Sequence, residues 1–334
     1  YEIALRLVGS EMCIRDRDSG CRIVVGWHVS DRSNPINVPV SSTDGAIAQM
    51  ERVIKEYHHA LEGRVQAWAM PFSWSFCSEE LLLAAKELAN RYNSGMTLHH
   101  SNSPASIDAC LRQHGKRPTE YLEDIGVLGP NVLLAHVLGL DEAEVDSMAR
   151  TGTKAVVCPT AAIKGGAGMT NSGLLPEMLS KGIRVGLGTD AGNNSNLIET
   201  MRSMYLIAVL YKDARETTQM IPAETALEMA TIRCAEALGL GDDIGSIEEG
   251  KKADLVLFDT RRPEWRTIFN PVNNLVYNAD GRSVHTVIVD GKVVVEDHTP
   301  VFVDEWELIQ KTQKLGEGLL ARTGVSFPSR WPMV

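Results

Sequence analysis

Six short, continuously apolar runs alternate with amphipathic helical stretches over residues 20–190, and histidine and acidic residues gather at the C-terminal ends of several runs. Together these features predict an α/β fold: an incomplete TIM-like (β/α)8 barrel, strands 3–8 present, with a small β-sandwich part appended. The runs are CRIVVGWHV (21–29), VQAWAMP (65–71), MTLHHS (96–101), VLLAHV (132–137), KAVVCP (154–159) and RVGLGTD (184–190). Each is only long enough for a strand. Continuous rather than alternating apolarity is the habit of parallel strands covered on both faces. Helices are predicted at 46–62, 78–93, 104–114, 141–151, 197–213 and 222–239. In the second, Ser78 reads as the N-cap, Glu79 and Glu80 complement the helix dipole, and Gly95 follows the end. A doubly wound sheet is the competing arrangement, but no GxGxxG follows the first run. Closure needs eight strands, so the missing two are expected before residue 20.

After residue 240 the texture changes. GSIEEGKKADLVLFD and VHTVIVDGKVVVED are rich in β-branched residues, and Asp290-Gly291 marks a tight hairpin. The barrel is therefore assigned to 18–240, the sandwich part to 241–300, and a C-terminal helix and tail to 301–334. If that small domain draws strands from both chain ends, edges around 253–257 and 284–296 are expected to lie unpaired. The first 17 residues, YEIALRLVGSEMCIRDR, show no usable period, do not begin with Met, and lack the features of a signal peptide. Their LVGSEMCIRDR string looks like translated sequencing adaptor, so 1–17 is expected to be non-native and the natural start to be missing.

Thirty-three Lys and Arg against 43 Asp and Glu give a net charge of −10, which disfavours nucleic acid or an anionic membrane as partner. A small, neutral or weakly charged molecule fits better. No apolar run approaches the roughly 18 to 20 residues of a bilayer span. The six cysteines stand singly with no CxxC pair, as in the reduced thiols of a cytoplasmic protein. Homo-oligomerisation is left open.

His99, His136 and Asp190 each close a strand. Imidazole nitrogens and a carboxylate converging from different strands can hold a divalent metal such as zinc or iron, although a single histidine at a strand end is more often structural. The strings GKRPTEYLEDIGVLGPNVLLAHV, VVCPT, GIRVGLGTDAGNNSN and GSIEEGKKADLVLFD, spread over about residues 20–300, resemble the amidohydrolase superfamily. The nearest group holds methylthioadenosine and S-adenosylhomocysteine deaminases, guanine and cytosine deaminases, and triazine hydrolases. That resemblance implies hydrolysis of a non-peptide carbon–nitrogen bond, with deamination of a heteroaromatic or cyclic amidine substrate by metal-activated water. It implies one divalent metal, zinc first and iron second, with His99 and Asp190 as ligands. Asp190 would also take a proton from the metal-bound water, and His136 would hydrogen-bond the attacking hydroxide or the substrate atom where negative charge develops.

The sequence departs from the pattern in several places. HxH occurs nowhere, so two of four expected ligands are absent, and weak metal retention and little activity are expected of this chain. Asn102 stands where the family's deaminases carry a proton-shuttling Glu; an amide can hydrogen-bond a ring nitrogen but cannot exchange a proton near neutral pH. It favours an alternative in which a triazine-type hydrolase expels halide or an alkylamine. His100 replaces His99 as ligand if the register slips by one. Gly139 and Ala161-Ala162 stand where larger polar residues are usual, which implies a roomier site. A catalytically silent binding or scaffold protein is the reading from another class. His58 and His59 read as surface or packing residues, Cys158 as a buried thiol, residues 163–169 as a flexible loop, and Trp68, Phe72 and Trp74 as packing.

Overall fold

The computed structural model describes residues 19–327 and 330–331; the segment 1–17 lies outside them. Six parallel staves form in chain order. The first is β1 (Ile23–Val25) continued by β2 (His28–Val29), and the second is β3 (Val65–Ala67) continued by β4 (Met70–Pro71). β5 (Met96–His100), β6 (Val132–His136), β7 (Lys154–Val157) and β8 (Val185–Leu187) complete the series. β1 pairs with β3 and β2 with β4; bridges at Ala69–Met96 and Ser73–His99 join the second stave to β5, and β5 to β8 pair successively. All six predicted runs are strands. Among the described residues β8 makes no pairing with β1.

The first two staves are interrupted in the middle because they press together there. A Cβ on Gly26 would lie 2.7 Å from the Trp68 carbonyl oxygen, so only glycine fits.

The helices follow the predicted amphipathic stretches with shifted ends. α1 (Thr43–Tyr57) starts three residues early because the Ser42 hydroxyl accepts the Gly45 amide. α2 (Glu79–Arg91) has the expected Ser78 cap, bonded to the Leu81 amide at 3.1 Å, and α3 (Pro104–His114) matches its predicted span. α4 (Pro118–Asp124), a short helix inside the GKRPTEYLED string, was not predicted. α5 (Glu142–Thr151) opens on a reciprocal Asp141–Glu144 capping box, and α6 (Pro159–Lys164) follows β7. After β8 come α7 (Thr200–Ala214), α8 (Ala223–Ala230) and α9 (Ile232–Ala237). The last two replace one predicted helix, which Thr231 breaks with φ −126° and ψ −101°.

One core lies between staves and helices: Met96, Leu98, Val132, Leu134, Ala155 and Val185 meet Leu81, Ala85, Leu88, Val145, Met148 and Ile207. The opposite face of the sheet is filled by Trp68 and Leu133 with Ala237 of α9. Here α9 approaches β8 closely, since a Cβ on Gly186 would meet the Cys234 Cα at 3.2 Å.

Beyond the barrel lies a four-stranded antiparallel sheet in the order β12 (Thr299–Pro300), β11 (Lys292–Glu296), β10 (Val284–Val289), β9 (Leu255–Phe258). Asp290 (φ 52°) and Gly291 (φ 76°) make the predicted hairpin between β10 and β11. The expectation of unpaired edges holds only for one side of β9; β10 and β11 are flanked on both sides, so 284–296 is no open edge. A second layer, which a sandwich requires, is not among the described residues. Arg22 ties this sheet to the first stave through Asp254, which accepts from Nε at 2.6 Å and from Nη2 at 2.9 Å. Between β9 and β10 the chain returns to the barrel, where Val276 is buried in the main core. α10 (Glu305–Thr323) is capped by Asp304 and buries no residue.

Candidate functional site

Side-chain alternation along β5 sends Met96, Leu98 and His100 into the helix layer and leaves Thr97 and His99 on the other face. The Nε2 atom of His100 lies 2.8 Å from the Thr119 hydroxyl of α4, and its ring is 1% exposed. The register does not slip: His99 is paired with Ala135 and His100 with His136. His100 therefore packs against α4, away from the mouth. Nδ1 of His99 is 2.9 Å from the Phe72 carbonyl oxygen. A carbonyl can only accept, so Nδ1 carries the proton and Nε2 presents its lone pair. Such a backbone anchor orients a histidine that uses its other nitrogen for a ligand.

His136 should face the helix layer, as its register partner His100 does. Instead its φ is +80°, followed by +49° at Val137, and its ring stacks 5.5 Å from that of His99. Positive φ on histidine and valine is strained backbone, and such strain collects at functional sites. Burial and the neighbouring His99 push the His136 pKa below its usual 6.5, while Asp190 opposes the shift. Asp190 also has positive φ, +65°; its Oδ1 accepts the Ala191 amide at 2.6 Å and the Asn194 side-chain amide at 3.2 Å. The preceding Gly188 lets β8 lie against β7, since a Cβ there would meet the Cys158 sulfur at 3.0 Å. Burial pushes the Cys158 thiol up to about 12, which keeps it protonated.

Two residues join the cluster that the sequence reading did not place in it. His28, which opens β2, has its ring 5.3 Å from His99 and 5.5 Å from Phe72. It is reachable by solvent yet densely surrounded, and burial followed by His99 lowers its pKa to about 4. Phe72 packs its ring against His99 with centroids 4.4 Å apart, whereas Trp68 and Trp74 are buried. The available signal for His28 was its position, since it ends an apolar run as His99 and His136 do. Asn102 lies on the exposed loop after β5, three residues past His99 and just after Ser101 at φ +45°.

The mouth thus collects three imidazoles and a carboxylate. Among the described residues, however, no three His, Cys, Asp or Glu side chains are placed to hold a metal ion. A catalytic zinc needs about three protein donors.

Residues 9–294 match the sequence profile of the Amidohydrolase family. The chain belongs to the amidohydrolase family. The match begins within the first 17 residues. This amidohydrolase is 33% identical over 274 residues to a 5'-deoxyadenosine deaminase of Methanosarcina acetivorans, covering 81% of this chain and 62% of the relative. It is 32% identical over 297 residues to a 5-methylthioadenosine/S-adenosylhomocysteine deaminase of Thermodesulfovibrio yellowstonii, covering 87% and 65%. The chain thus spans a little under two thirds of the relatives it matches. A solved adenosine deaminase of Xanthomonas campestris with bound zinc superposes with a TM-score of 0.84 at 24% identity, covering 92% of this chain and 68% of that one. That likeness shows the amidohydrolase's α/β barrel fold. No described helix is long and apolar enough to cross a membrane.

Proposed function

We propose that the whole protein is a metal-dependent hydrolase of non-peptide carbon–nitrogen bonds that deaminates a small-molecule substrate, an aminopurine of the 5'-deoxyadenosine kind. The observation that carries this reading is the convergence of His99, His136 and Asp190 at one mouth in a chain of this family. His99 and Asp190 are two ligands of one divalent metal, zinc in preference to iron. His136, kept neutral by burial, hydrogen-bonds the group that gains negative charge. Phe72 and His28 wall the ring's position. In this reading the six staves are strands 3–8 of an incomplete barrel, the antiparallel sheet is part of a β-sandwich, and the protein works in the cytoplasm. With two donors, this chain by itself holds metal weakly and turns over little.

Asn102 favours a second reading, a triazine-type hydrolase whose leaving group departs unprotonated, because an amide cannot shuttle a proton. Ammonia release from 5'-deoxyadenosine, guanine, cytosine and an aminotriazine, with zinc content on the same sample, separates the two. The full-length native gene product is expected to hold one zinc and act fastest on 5'-deoxyadenosine, and residues 1–334 to hold well under one. A zinc-loaded native product that releases ammonia from none of the four sinks the deaminase reading; halide or alkylamine release instead selects the second.

A further inference from the structure

α10 follows the antiparallel sheet as a capped helix of 19 residues and buries none of them. Its aliphatic side chains nevertheless share one face. Leu308, Leu315 and Leu319 are 48%, 65% and 52% exposed, and Ile309 and Leu320 flank them. A helix of this length standing alone is marginal in water, because most helical stability in proteins comes from covering the apolar face. The spacing along the helix says which geometry covers it. Glu305, Leu308, Thr312, Leu315, Leu319 and Arg322 follow one another at intervals of three, four, three, four and three residues, the seam of a two-helix coiled coil.

The two ends of that seam carry opposite charges, and neither Glu305 nor Arg322 has an ion-pair partner among the described residues. The seam is complementary to its own reverse. Laid antiparallel on a second copy, Glu305 faces Arg322, Leu308 faces Leu319 and Thr312 faces Leu315, and the same three layers return in reverse order beyond the centre. Laid parallel, Glu305 faces Glu305 and Arg322 faces Arg322, and both ends repel. The antiparallel arrangement also opposes the two helix dipoles. Gly316 fits the same picture. A glycine inside a helix costs stability, and nothing in its own chain lies within 4 Å of where its Cβ would stand. In the antiparallel pair Gly316 comes level with Ile309 of the second copy and leaves room for it.

We propose that α10 is a dimerisation element, pairing antiparallel with α10 of a second copy of this chain about a twofold axis level with Gln313 and Lys314. Such a pairing uses the same surface on both copies and is closed, so it yields dimers rather than filaments. Sedimentation equilibrium of residues 1–334 tests it, and a reversible dimer is expected. Leu315→Glu, at an exposed position, is expected to leave a monomer. Arg322→Glu sets Glu against Glu305 at both ends of the seam and is expected to raise the dimer dissociation constant about tenfold. Adding Glu305→Arg to that variant restores opposite charges in both layers and is expected to recover most of the affinity. In a parallel pair, Arg322→Glu would merely exchange one like-charge layer for another. A monomeric native chain, as follows if another segment or another protein covers α10, overturns the proposal. So does self-association that survives Leu315→Glu, or a dimer indifferent to Arg322→Glu.

Discussion

The rings of His99 and His136 lie 5.5 Å apart and within 20° of parallel, although the β5–β6 ladder pairs His136 with His100, whose ring is buried on the opposite side. Parallel register puts paired residues on one face. The φ of +80° at His136 reverses its side chain and brings it to the mouth. The candidate site thus depends on a strained residue.

His136→Ala in the full-length native protein is expected to lower kcat on the order of 10²- to 10³-fold, as loss of one well-placed donor does, with zinc content unchanged. His99→Ala is expected to lose the zinc itself. Metal analysis beside steady-state rates distinguishes the two, and equal metal loss in both variants would refute the division of labour.

Asp31 follows β2 and joins two helix starts. It accepts the Ser78 amide at 2.7 Å, the Ser78 hydroxyl at 2.5 Å and the Thr43 hydroxyl at 2.9 Å. Burial raises its pKa, but the bonds from Ser78 and Thr43 outweigh that and hold it below the usual 3.8. A carboxylate with a depressed folded pKa contributes stability that is fully present above its unfolded pKa and is lost as pH falls through the folded one. Asp31→Asn should therefore cost about 1 to 3 kcal/mol at pH 7, with the gap to the native chain closing below about pH 3.8. Urea titrations at pH 7, 4 and 3 measure it; a gap that stays constant across that range contradicts the assignment.

Glu144 is completely buried and holds three groups together: it pairs with Arg117 at 2.7 Å and accepts the Thr119 amide at 3.0 Å and the Asp141 amide at 3.2 Å. Removing it leaves two amides without their acceptor and Arg117 with only Asp141 and the Gly139 carbonyl oxygen. Glu144→Ala is expected to destabilise by about 3 to 5 kcal/mol, measured by the urea midpoint, and a loss under 1 kcal/mol would show that water replaces it.

Gly188 packs where a Cβ would lie 3.0 Å from the Cys158 sulfur and 3.2 Å from a Val156 methyl. Gly188→Ala should cost about 1 to 3 kcal/mol by overpacking. Cys158→Ala removes the nearer atom, so the same glycine substitution made in that background should cost measurably less. Additive losses would mean that β7 and β8 separate without regard to the sulfur.

Much of this was legible in the chain itself. The six staves, the Ser78 cap, the Asp290-Gly291 hairpin and the family were readable because each is a local pattern: an apolar run, a hydroxyl before a helix, two residues able to take positive φ. His99 was legible as the inward-facing member of its pair because alternation is regular along β5. Helix ends were less so, and Thr231 broke one predicted helix without a glycine or proline to announce it.

Sequence alone determined that this is an amidohydrolase-type α/β chain with a carboxylate and histidines at strand ends and without HxH. Only the tertiary structure decided that His136 faces His99 rather than joining His100, that His28 and Phe72 complete the cluster, and that Arg117 is spent on Glu144. Periodicity reports which face a residue takes while the backbone stays regular. At the strand ends the backbone leaves the β region, and there only the packed fold fixes the direction of a side chain.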